Sequence, residues 1–246
     1  MIIIRSSLLN RFPEIIFGFS TKIGLNRNEP FYFNLSLNVG DDEKIVNENR
    51  IKYFNKLGIS ELAYQSQTHG NTVKVVNKAG HVGYCDALIT NKKKLGLAIT
   101  SADCSAIFLY DNVNNVIASI HSGWRGTEKK ILEKTIHKMM QEFNTNPQNV
   151  YAYIAPSISM MNYEIGKDVA EKFNSKYVLK NGKNMFLNVS LANFDILISN
   201  GIQKDHIQVS DVCSFETSSL LHSYRRDGEI SGRALGIIAL RDNNEK

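Results

Sequence analysis

A chain of 246 residues can bury one sizeable core and stops short of the about 250–300 residues at which single cores split, so one domain spanning 1–246 is expected. Its 43% hydrophobic and 22% charged residues exclude a disordered chain, and no uncharged apolar stretch approaches the ~20 residues of a membrane helix. The formal charge is +5, yet basic residues alternate with acids and the one tight run, Lys92-Lys93-Lys94, reads as a solvated turn, so neither nucleic acid nor membrane is an expected partner.

Taken in chain order, 15–19 reads as a strand, and 31–38 alternates loosely up to the turn Gly40-Asp41-Asp42. Residues 43–57 carry apolar groups at helical spacing, Ile45, Ile51, Phe54 and Leu57, and Gly58 stops them. The middle third is denser in strands, at 72–76, 87–90, 95–100, 106–110 and 116–121. Asp111-Asn112-Val113-Asn114-Asn115 joins the last two as a hairpin, which sets Cys104 and His121 at the same sheet edge. Thr127 is expected to cap a helix whose apolar face holds Ile131, Leu132, Ile136, Met139, Met140 and Phe143. A strand at 150–155, helices near 167–173 and 190–199 with Gly201 closing the second, and strands at 207–209 and 235–240 complete the pattern. Strands adjacent in sequence outnumber βαβ units, so the expected class is α/β, a mixed sheet with flanking helices rather than a Rossmann fold.

Three cysteines, Cys85, Cys104 and Cys213, stand at no zinc-finger or redox spacing and suit a reducing compartment. The apolar run Met1-Ile2-Ile3-Ile4 meets Arg5 too soon for a signal-peptide core, and a cytoplasmic location is the expectation.

Polar residues that can bind metal fall at three strand ends: Ser66-Gln67-Thr68-His69-Gly70, Ser101-Ala102-Asp103-Cys104 and His121-Ser122-Gly123-Trp124-Arg125-Gly126. Singly, each His or Cys reads as a packed structural residue. Together His69, Cys104 and His121 offer two imidazoles and a thiolate, the donor set of a catalytic zinc site with one position left for water. Their wide separation in sequence fits ligands drawn from several strands rather than the paired ligands of structural zinc.

Those segments, followed by Ser223-Tyr224-Arg225-Arg226-Asp227, resemble the signature of the laccase-domain family, also called polyphenol oxidase, peptidoglycan editing factor and purine nucleoside phosphorylase. The likeness runs from Gly18-Phe19-Ser20-Thr21 through Asn38, Asn49-Arg50 and Asp86-Ala87-Leu88 to Gly232-Arg233, nearly the whole chain. It implies Zn²⁺ on His69, Cys104 and His121, purine nucleosides and phosphate as partners, phosphorolysis of adenosine, inosine, guanosine and methylthioadenosine, and adenosine deamination. Copper at the same residues is the second choice of ion. Two departures stand out: a cysteine-rich segment of the family is here Ala155-Pro156-Ser157-Ile158-Ser159-Met160-Met161-Asn162, and a usual arginine is Lys22.

A zinc-bound water, brought toward a pKa of ~7, suits attack at C6 of adenine. Asp103 is the expected acid/base, or else a carboxylate orienting a ligand. Phosphorolysis needs an anion site, for which Arg125 and Arg226 are the candidates, while Arg50 reads as structural. Asn38 can bond base or ribose, or hold a turn. Six histidines without a His-x-His pair are too few for a multicopper oxidase. A Cys104/His121 hydrolase acting on a peptidoglycan precursor is the other enzyme reading. A noncatalytic interaction protein would need no metal triad.

Overall fold

Strands apolar at nearly every position, such as 106–110, need cover on both faces, and the computed structural model of this chain, which describes residues 1–242, provides it. In chain order, β1 (Ile3–Ile4) and β2 (Ile15–Ser20) precede helix α1 (Glu43–Leu57) and strands β3 (Glu61–Ser66), β4 (Val73–Val75), β5 (Gly80–Tyr84), β6 (Ala87–Thr90), β7 (Leu95–Ser101), β8 (Ser105–Asp111) and β9 (Val116–Ser122). Helices α2 (Trp124–Glu128) and α3 (Ile131–Phe143) lead to β10 (Val150–Ile154), β11 (Glu164–Ile165), α4 (Lys167–Ala170), β12 (Val178–Asn181) and β13 (Asn184–Leu187). After these come α5 (Val189–Ser199), β14 (Ile207–Val209), α6 (Tyr224–Asp227) and β15 (Ala234–Leu240).

Two six-stranded sheets result, ordered β1-β2-β15-β7-β3-β5 and β14-β10-β8-β9-β6-β4, with a three-stranded sheet β11-β13-β12 as a third. Each large sheet mixes parallel and antiparallel pairs: β3 runs parallel to β7 and β15 antiparallel to it, while β4 runs parallel to β6 and β8 antiparallel to β9. The expected α/β, non-Rossmann class therefore holds, with the mixed sheet divided in two.

Alternation along the strands sorts the side chains into layers. Phe17, Leu97, Phe108, Ile117 and Tyr153 share the core between the two sheets. Across that core the Phe17 ring meets Phe108 edge-on at 4.9 Å and Tyr153 at 5.2 Å. Gly236 of β15 makes room for Phe108, because a Cβ there would collide with the ring. The outer face of the second sheet, with Ile107, Ala118 and Ile120, packs against Leu132, Ile136 and Met139 of α3 and Leu197 of α5. On the far side, Ile16, Ala98 and Ile237 of the first sheet pack against Tyr53 and Leu57 of α1.

Several local expectations change. Residues 31–38 form no strand, because the Asn34 side chain bonds the Ser36 amide and carbonyl and the Arg233 amide, replacing a ladder with a local turn. Helix α1 keeps its expected bounds, with Asp42 accepting from the Lys44 and Ile45 amides and Gly58 left-handed at φ 70°. Its buried face is nevertheless Val46, Asn49, Tyr53 and Leu57, with Ile51 turned outward. Thr127 caps nothing: it lies inside α2, its hydroxyl donating to the Gly123 carbonyl, and the chain restarts as α3 after Lys130 at φ 60°. Met140 falls off the buried stripe of α3 and is exposed. Hydrophobic periodicity does not reveal strands β3 and β5 or the β12–β13 hairpin, since polar residues interrupt all of them.

Candidate metal centre and its cavity

The ligands gather where the chain crosses from one large sheet to the other. His69 follows β3 of the first sheet and precedes β4 of the second, and Cys104 lies in the short link between β7 and β8. The expected hairpin brings the third ligand: His121 of β9 pairs with Ala106 of β8, whose side chain faces the inter-sheet core. The ligand atoms of His69, Cys104 and His121 all lie within 4.8 Å of one another. Gly123 permits the approach, since a Cβ there would sit 2.6 Å from Cys104 Sγ. His121 is buried, Cys104 partly so and His69 exposed, so the cluster is closed on one side and open on the other.

Asp86, at the foot of β6, ties two ligands together. Its fully buried carboxylate accepts from His121 Nδ1 at 2.9 Å, the His69 amide at 2.9 Å, the Gly70 amide at 2.8 Å and Thr68 Oγ1 at 2.8 Å. These bonds hold His69 at its positive φ of 55° and fix the His121 ring, leaving Nε2 for a metal. Burial alone would raise the Asp86 pKa, but the bonds from His121, Gly70 and Thr68 outweigh it and keep the carboxyl well below its usual range. Burial likewise opposes charge on Cys104 and His121. The charge of each on the other, with their hydrogen bonds, overcomes that penalty, lowering the thiol and raising the imidazole. A thiolate is the form that binds metal. Two imidazoles and one thiolate at these separations fit Zn²⁺, with bonds of about 2.0–2.3 Å and a fourth position for a small molecule.

A cavity of about 530 Å³ opens from the three ligands and is lined further by Asn38, Arg50, Tyr64, His81, Tyr224 and Arg233. That size suits a small organic ligand. Asn38 stands at its exposed rim. Asp103 does not line it: at φ 92°, it accepts from Ser214 Oγ at 2.6 Å and from the Arg225 amide at 2.7 Å, so both oxygens are engaged beside Cys104. Arg125 is exposed, stacked 4.3 Å over Trp124, and is absent from the lining.

Arg226 is a correction. An arginine has five N–H donors, and here Nε and Nη2 bind Asp227, Nη1 binds the Ser214 and Phe215 carbonyls, and Nη2 also binds the Leu221 carbonyl. No donor remains for a substrate. Several cavity or ligand-holding residues carry no functional role in the sequence, among them Asp86, Arg233 and Arg50, the last expected to be structural. Two signals were available for Asp86: its place in Asp86-Ala87-Leu88 of the family likeness, and a carboxylate set between Cys85 and an apolar strand.

The profile of the family described as multi-copper polyphenol oxidoreductase laccase matches residues 16–241. Among relatives, the chain is 30% identical to purine nucleoside phosphorylase YlmD of Bacillus subtilis, over 93% of this chain and 90% of that one. It is 34% identical to a purine nucleoside phosphorylase of Deinococcus radiodurans, over 91% and 88% of the two chains. Among solved structures, YlmD from Geobacillus stearothermophilus superposes with a TM-score of 0.90 at 25% identity, covering 96% of this chain and 94% of that one. The Bacillus licheniformis hypothetical protein YfiH gives 0.89 at 28% identity, over 92% and 93%. With the match spanning nearly its whole length, the chain belongs to the multi-copper polyphenol oxidoreductase laccase family.

Proposed function

We propose that the chain is a zinc-dependent purine nucleoside phosphorylase that also deaminates adenosine, acting as one catalytic domain. The observation carrying this reading is the His69–Cys104–His121 cluster at one end of a nucleoside-sized cavity, in a chain whose relatives over nine-tenths of its length are named purine nucleoside phosphorylases. Three unpaired cysteines favour the cytoplasm as its place of action. Among the described residues only one group of three donors could hold a metal, too few for a multicopper centre despite the family's description.

Zinc held by the three ligands supplies Lewis acidity at that end of the cavity. The protein does the rest by placement. Tyr64 and Tyr224 offer aromatic surface to a base, and the Asn38 amide offers a donor and an acceptor at the rim. In phosphorolysis of adenosine, a phosphate oxygen bonds to C1′ as the bond from C1′ to N9 breaks, giving ribose 1-phosphate and adenine, which takes up a proton at nitrogen. In deamination, water adds at C6 and ammonia leaves, giving inosine. Asp103, with both oxygens engaged, acts by holding the Cys104 turn rather than by moving protons.

One purified sample decides the matter: elemental analysis for metal, followed by assay on adenosine, inosine, guanosine and methylthioadenosine with and without phosphate. We expect one zinc per chain and phosphate-dependent release of free base, both abolished in Cys104→Ser. Zinc-replete protein that turns over none of the four nucleosides overturns the reading.

The alignment of Asp86, His121 and Cys104 favours a second reading, a cysteine hydrolase with His121 as base. Chelation separates the two. Such a hydrolase keeps full activity without metal and loses it on alkylation of Cys104.

A further inference from the structure

We infer that Arg50 and Arg233 form the oxyanion subsite of this cavity and that its occupant is inorganic phosphate, an assignment that rests on the phosphorylase reading above. Its basis is which arginines have donors to give. Arg226 has none free, Arg27 is engaged by Asn49 and Glu48, and Arg125 lies on Trp124 outside the cavity lining.

Arg50 differs from them. Its half-buried guanidinium lies over the Tyr64 ring at 5.0 Å and the Phe54 ring at 5.7 Å, with no hydrogen-bond acceptor among the described residues. Arg233 is half engaged. Its Nη1 donates to the Ser231 and Gly232 carbonyls and its guanidinium lies over Tyr224 at 5.3 Å, while Nε and Nη2 have no partner among the described residues. Nε–H and Nη2–H form one edge of the planar group, the fork that grips a tetrahedral oxyanion through two parallel bonds. A desolvated guanidinium without acceptors is costly, and a bound anion removes that cost.

The rest of the lining is consistent with an anion. It includes both arginines but no aspartate or glutamate; its one anionic group is the Cys104 thiolate, which with Asp103 behind the wall acts on Arg233. Ser66 Oγ, 3.0 Å from His81 Nε2, adds a further hydroxyl to the same wall. One unengaged and one half-engaged guanidinium in a cavity lined by no carboxylate focus a positive potential suited to phosphate.

The same fork could instead hold the 5′-phosphate of a nucleotide, so the titration uses both sources. Zinc-loaded wild type, Arg50→Ala, Arg233→Ala and Arg233→Lys are titrated with inorganic phosphate by calorimetry, then with adenosine and with adenosine 5′-monophosphate in the presence of phosphate. We expect saturable phosphate binding in wild type, weakened about tenfold or more in each Ala variant with zinc content unchanged, and partial recovery in Arg233→Lys. In turnover, KM for phosphate rises while KM for the nucleoside holds. Phosphate affinity equal to wild type in both Ala variants overturns the inference, even if nucleosides are turned over well. Competitive displacement of phosphate by the monophosphate but not by adenosine also overturns it, assigning the fork to a nucleotide. The Arg50 guanidinium makes no hydrogen bond among the described residues, so its variant keeps the test open if Arg233→Ala folds poorly. Failure of the phosphorylase reading has a different signature: no wild-type turnover, with the phosphate titration intact.

Discussion

The two ends of the cavity are built on opposite plans. At the His69–Cys104–His121 end, Asp86 gathers the His69 turn and His121 through one carboxylate. At the other end, Arg50 rests on aromatic rings with no hydrogen bond from its guanidinium to any described residue. A metal demands ligands fixed within tenths of an ångström, whereas a co-substrate that enters and leaves needs donors that are charged and unengaged. The contrast separates what the fold must hold from what it must leave available.

The sharpest way to break that contrast is at Asp86. Asp86→Asn keeps the shape but places an amide N–H₂ where donors now converge, and zinc affinity should fall about 10–100-fold. Competition against a chromogenic chelator measures it, with Arg50→Ala as the reference that should match wild type. An unchanged affinity in Asp86→Asn would mean that the ligands hold their own geometry.

Next in size is the difference between engaged and unengaged arginines. Arg226→Ala removes bonds to three carbonyls and to Asp227, and should destabilise the fold by about 2 kcal/mol, less than the bonds would sum to because the pair with Asp227 is partly exposed. Arg50→Ala should cost no more than about 1 kcal/mol, the scale of its ring contacts. Urea unfolding of both variants gives the comparison, and equal losses would show that Arg50 carries structure after all.

A third effect appears only on acidification and lies behind Arg233. His222 is buried with Nε2 unpartnered, and burial first, then the charges of Lys22 and Arg233, depress its pKa to about 3. The unfolded chain therefore takes up this proton near pH 6.5 and the folded one only near 3. Acidification through that window favours unfolding by up to about 1.4 kcal/mol per pH unit, and above it the group contributes no slope. His222→Gln should flatten that part of the stability curve, and Arg233→Ala should soften it by removing a nearby charge. A curve for His222→Gln that parallels wild type across that window would exclude a buried neutral imidazole.

Residue type and strand-edge spacing offered His69, Cys104 and His121 as one donor set, the family likeness pointed to the same three, and the fold brings them together. The hairpin at 111–115 placed two of these ligands at one edge, and an Asp42 cap with a Gly58 stop bounded α1. Such features are local or periodic, so a linear chain displays them. The division into two sheets was not displayed, because strands buried on both faces read alike whichever sheet they join. Nor was the work of Asp86, whose donors come from 16 to 35 residues away, or the difference between Arg226 and Arg50, which share a side chain and differ only in what surrounds it. Local chemistry determined which residues could act here; packing alone decided which of them still have a hydrogen bond to give.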